Sequence, residues 1–172
     1  MSNSGAPMKR RNLFVMLILM FFLNIFYWLF WWCSVQNQIK RRTGKGFGGF
    51  GHFLLTIFTF GIYPIYWHFV VTGRIGAAGG PNRKVLYGLL YLVCILLSYG
   101  LMIAGFSMII SEVMSIIDGA ASGYTPNFEY IMENLSGALA AAWAMSAIGS
   151  IFSIIQMYVI PLLIQNDINK AN

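Results

Sequence analysis

FLLTIFTFGIYPIYWHFVV, residues 53–71, runs for nineteen positions without a charged side chain and carries Gly61 and Pro64 near its middle. Its length suits a helix crossing a hydrocarbon core of roughly 30 Å at about 1.5 Å per residue. Its centre suits a turn, because glycine enters backbone conformations other residues resist and proline removes an amide donor. Whether the run crosses or turns back decides the fold of the first half of the chain.

Three further apolar runs surround it: residues 13–32, interrupted by Asn24; residues 85–110; and residues 138–160, closed by Pro161. The 172 residues are 58% hydrophobic and 9% charged, against roughly 25% charged in a soluble domain. That excludes a water-soluble globule. Isolated strands cannot satisfy their backbone in lipid and no alternating barrel pattern is present, so the expected class is an all-α integral membrane protein. Four helical segments are expected: the first two are candidates for re-entrant hairpins, and the last two are full spans.

The expected organisation is a basic cytoplasmic N-terminus (1–12) and tandem aromatic hairpins with basic loops (13–84). A transmembrane hairpin (85–163) with an acidic external loop (111–137) follows, then a polar tail (164–172). Residues 36–51 and 72–84 read as basic, glycine-rich connections. Thr125 and Pro126 form a capping pair for a helix leading into the fourth run. The basic start followed by an apolar run ending in Trp28, Trp31 and Trp32 predicts a retained anchor rather than a cleaved signal peptide.

The first two runs overlay at an offset of 37, with Asn24-Ile25-Phe26 on Gly61-Ile62-Tyr63 and Phe30 on Trp67. The second copy holds Thr59, Gly61, Ile62, Tyr63, Tyr66 and Trp67 in the pattern T-x-G-I-Y-x-x-Y-W. This run resembles the hallmark of a bacterial membrane family, domain of unknown function 4234. The likeness extends over residues 11–80 if the first run is a degenerate copy, in which Asn24 replaces the glycine and Leu29 the second tyrosine. It implies a small bacterial inner-membrane protein and assigns no chemistry.

Charge placement separates two topologies. With four full spans and the N-terminus inside, seven of the eleven Lys/Arg lie in the cytoplasm and four outside; inversion reverses those numbers. If the first two runs re-enter, bending near Asn24 and at Gly61 to Pro64, all eleven lie inside and four of the five acids outside. The second arrangement obeys the positive-inside rule. Lys9, Arg10, Arg11, Lys40, Arg41, Arg42, Lys45, Arg74, Arg83 and Lys84 are therefore the candidate topology and lipid-headgroup residues.

No Asp, Glu, Lys or Arg interrupts the four apolar runs, which counts against proton pumps, ion-coupled transporters and voltage sensors. Cys33 and Cys94 stand apart without ligand spacing and read as small apolar fillers, with lipidation of Cys33 as the alternative. His52 and His68, sixteen apart and at opposite ends of a segment, make no metal site. Asn24 is either a helix-pairing residue or the apex of a hairpin. Ala138, Ala142, Ser146 and Ser150 recur every four residues as a smooth stripe for close packing, against the third run with its Gly100 and Gly105 or in a homo-oligomer. The reading is a non-enzymatic protein, without cofactor, metal or nucleic acid, acting by association with membrane lipid or a larger membrane complex. A subunit of an oligomeric channel or transporter is the alternative.

Overall fold

The computed structural model describes residues 7–124 and 127–171, and every regular element among them is helical. The elements are α1 (Leu13–Thr43), α2 (Gly49–Phe58), α3 (Ile62–Ala77), α4 (Lys84–Ala121) and α5 (Phe128–Ile154). A π-helical turn (Ile155–Val159) then leads into α6 (Ile160–Lys170). Three stretches are long and apolar enough to cross a membrane: Leu13–Thr43, Val85–Ala121 and Phe128–Lys170.

The first of these is not a straight rod. Asn24, at φ 40° and ψ −117°, interrupts α1. The chain doubles back there: the Lys9 amide donates to Gln38 Oε1 (2.6 Å) and Arg11 Nη2 to Ser34 Oγ (2.6 Å). The Arg11 guanidinium also lies 5.8 Å above the Phe30 ring. Helices α2 and α3 repeat the device. Phe60 (φ 49°) and Gly61 (φ 84°) reverse the chain, and the Gly61 amide donates to Thr56 O (3.0 Å). Across this turn the His52 ring lies 5.0 Å from Tyr63 and 5.2 Å from Trp67. Asn24 and Gly61, the positions matched by the 37-residue offset, are thus both apices with positive φ. Asn24 is exposed and sits at the apex of the first hairpin.

The connections are shorter than their composition suggests. Within 36–51, α1 continues to Thr43, is capped by left-handed Gly44 donating to Lys40 O (2.8 Å), and α2 opens at Gly49. Within 72–84, α3 continues to Ala77 because Thr72 and Ile75 extend its buried face. The expected loop 111–137 is mostly helix: α4 continues to Ala121, Gly123 follows at φ 84°, and α5 opens at Phe128. Thr125 and Pro126 lie outside the described residues. Asn127 caps α5, its Oδ1 accepting from the Tyr130 amide at 2.8 Å.

The chain divides into two compact units: Met1–Leu92 with Ile155–Asn172, and Val93–Ile154. The core of the first unit is built from Trp31, Trp32, Val35 and Ile39 of α1, Trp67, Val71 and Ile75 of α3, and Ile160, Ile164 and Ile168 of α6. The polar tail expected at 164–172 is instead mostly helix. Its isoleucines recur every four residues, which is one helical face, and Pro161 sits in the first turn where its missing amide costs little.

In the second unit α4 and α5 run antiparallel. Ser98 and Ser153 share a hydrogen bond (2.5 Å). A methyl group on Gly105 would lie 3.1 Å from Ala142 Cα, and one on Gly149 3.0 Å from Ser98 O. Such proximity lets backbones gain packing energy in lipid. Ala142 and Gly149 are buried, Ala138 and Ser146 half-buried, and Ser150 exposed. A strict four-residue stripe drifts off a 3.6-residue helix, so Gly149 takes the place expected of Ser150. Gly100 has open space around it and is no part of the seam.

Candidate functional site

The T-x-G-I-Y-x-x-Y-W run resolves into distinct duties. Thr59 Oγ1 donates to Leu55 O (2.7 Å) and accepts from the Tyr63 amide (3.0 Å), joining the end of α2 to the start of α3. Gly61 supplies the left-handed apex. Ile62 and Tyr66 are exposed, whereas Trp67 is fully buried and its Nε1 donates to Gln36 Oε1 (2.9 Å). Gln36 also donates to Phe47 O (2.8 Å), so one α1 side chain fixes both the plug of the second hairpin and the loop before it.

The two histidines are brought together rather than held at opposite ends, because the turn at 59–61 folds their helices side by side. His52 is buried between the edges of Trp32 (4.0 Å) and Tyr63, and neither ring nitrogen finds a partner among the described residues. His68 stacks on Tyr91 at 3.6 Å and its Nδ1 donates to Pro64 O (2.7 Å). Among the described residues His52 meets no carboxylate, hydroxyl or thiol at hydrogen-bond distance. Among the described residues no three of His, Cys, Asp and Glu gather as a metal site. This centre is an aromatic scaffold. Cys33 Sγ donates to Gly49 O (3.4 Å), where α2 meets α1.

The cationic residues divide by what they touch. Lys9, Arg10, Lys40, Arg41 and Lys45 are exposed, and Lys84 opens α4. Arg42 instead donates to Ala78 O (3.0 Å) and Ala171 O (3.4 Å), neutralising the carbonyl ends of α3 and α6. Arg74 is half-buried beside Gly46 and Gln36. Arg83 lies 3.8 Å from buried Asp167, which also accepts from the Tyr87 hydroxyl (2.8 Å).

Sequence reasoning missed Asp167, Gln165 and Asn169. Trp31 Nε1 donates to Gln165 Oε1 (2.9 Å), and Gln165 and Asn169 bond the backbone at Lys9 and Arg11. The available signal was the 160, 164, 168 isoleucine period with Gln165 and Asn169 one turn apart beside it.

No family model, curated protein or solved structure matches this chain. The geometry therefore stands alone. All eleven Lys and Arg belong to the first unit, together with Asp167, and the other four acids, Glu112, Asp118, Glu129 and Glu133, belong to the second.

Proposed function

We propose that this chain is a small multi-pass protein of the bacterial inner membrane, related to the domain of unknown function 4234 family. It performs no chemistry of its own and works by association with the anionic leaflet and with membrane partners. Its two N-terminal hairpins dip into the bilayer from the cytoplasmic face without crossing, and α4 and α5 cross it, placing residues 111–137 outside.

The observation that carries this reading is the partition of charge between the two units. Positive residues are retained inside and drawn to anionic headgroups, each worth about 1 kcal/mol near the surface. The hairpin tips support the same placement, since Phe22, Phe26 and Phe60 are 77%, 78% and 96% exposed. An arm from Leu13 to the break at Asn24 is about 16 Å long, half of a roughly 30 Å core.

The test is the side on which Lys45 is reached. With Cys33 and Cys94 replaced by serine, Lys45→Cys in inverted membrane vesicles should react with an impermeant maleimide. Labelling only in right-side-out vesicles rejects the re-entrant arrangement. Ion flux in liposomes should equal that of protein-free liposomes, and a reproducible conductance would favour the channel alternative.

A further inference from the structure

The basic residues 9–11 are held from two sides. Gln165 Nε2 donates to Lys9 O (3.3 Å), and Asn169 both donates to Arg11 O (2.8 Å) and accepts from the Arg11 amide (3.0 Å). The Lys9 amide is tied to Gln38. A basic tripeptide with a fixed backbone results. Beside it opens a groove of about 310 Å³, with Lys9, Arg10 and Arg11 at its mouth and Val15, Leu19 and Phe30 along its floor.

Three features point to the occupant. No carboxylate lines the groove. Arg11 spends Nη2 on Ser34 and rests over Phe30, leaving its buried Nε without a partner among the described residues. The first turn of α1 carries no acid to compete for the cations, and because Asn12 already caps the Phe14 and Val15 amides, an anion here is held by the basic side chains and not by the helix end. The floor then descends: Leu19 lies six helical positions beyond Leu13, where α1 begins, roughly 9 Å along the axis. A free phosphate would satisfy the mouth and leave the apolar floor unused.

We propose that this groove binds one anionic glycerophospholipid, its phosphate at Lys9, Arg10 and Arg11 and the upper part of an acyl chain against Val15, Leu19 and Phe30. The site rests on the membrane placement proposed above and makes it specific, from a diffuse cationic surface to a single seat.

The experiment is native mass spectrometry of the full chain released from mild detergent, titrated with phosphatidylglycerol or phosphatidylcholine. One phosphatidylglycerol should be retained in preference to phosphatidylcholine. Retention should fall about tenfold in Lys9→Gln/Arg10→Gln, as expected for lost charge-assisted contacts, and comparably in Leu19→Trp, which fills the floor without changing charge. Lys40→Gln/Lys45→Gln, with the same loss of charge, should change it less than about twofold. Equal loss in that pair overturns the seat while leaving a general attraction to anionic lipid. No preference for phosphatidylglycerol in the unaltered protein overturns both. Displacement by an excess of inorganic phosphate, with Leu19→Trp without effect, overturns the lipid as occupant.

Discussion

Single residues set the turns and the plugs. Asn24 holds a backbone conformation that costs an ordinary side chain about 1–3 kcal/mol, while its counterpart in the second hairpin is already Gly61. Asn24→Gly should therefore raise the unfolding temperature in mild detergent and Asn24→Val lower it. Trp67→Ala should cost about 3–5 kcal/mol by emptying the core, whereas Trp67→Phe, which loses the bond to Gln36, should cost about 1 kcal/mol; denaturant titration separates the two. Glycines divide in the same way. A methyl on Gly49 would stand 2.5 Å from Cys33 O, while one on Gly137 in α5 meets nothing within 4 Å. Gly49→Ala should destabilise by about 1–3 kcal/mol and Gly137→Ala should stabilise by up to about 1 kcal/mol, read from the same titration. Asn24 and Gly61 were legible as apices because each interrupts an apolar run with a residue tolerant of positive φ. The unpartnered His52 was not, since one-dimensional spacing cannot anticipate which helices a turn folds together.

At the scale of elements, the α4–α5 seam is decided by helical drift. Ala142 packs on Gly105 and Gly149 on Ser98, with Ser150 turned away. Ala142→Leu should disrupt the hairpin and lower the unfolding temperature, while Ser150→Leu should leave it within error. Equal effects from both would mean that the every-four stripe is itself the interface. The small residues of α5 were visible in the sequence, but their phase was not, because a drift of about 40° per four residues separates a stripe from a seam. Helix α6 was hidden for a different reason. Pro161 and the polar residues after it read as an ending, yet Gln165, Asp167 and Asn169 are all bonded inside the first unit. Deleting residues 160–172 should unfold that unit, exposing tryptophan to solvent with a red-shifted emission.

At the scale of the molecule, composition announces long apolar helices, three of which have the length and apolarity to cross a membrane, and the charges are divided between the two units. The eleven cations cluster in one unit although they occur in five separate stretches of chain. The positive-inside argument groups the same eleven cations from the order of apolar runs alone. What the order could not convey is that Arg42 and Arg83 are occupied internally, by helix carbonyls and by Asp167, and so contribute less to any lipid contact than Lys40 or Lys45. Salt should report the difference: enrichment of phosphatidylglycerol around the protein in mixed micelles should weaken with ionic strength, and should lose more of that dependence on Lys40→Gln/Lys45→Gln than on Arg42→Gln. The first unit is also discontinuous, joining residues 1–92 to 155–172. During synthesis its two hairpins emerge early and stay unsealed while some sixty residues of the other unit are made. The tryptophan core lacks part of its wall until Ile160, Ile164 and Ile168 have been made, so the first unit is the earliest begun and the last completed.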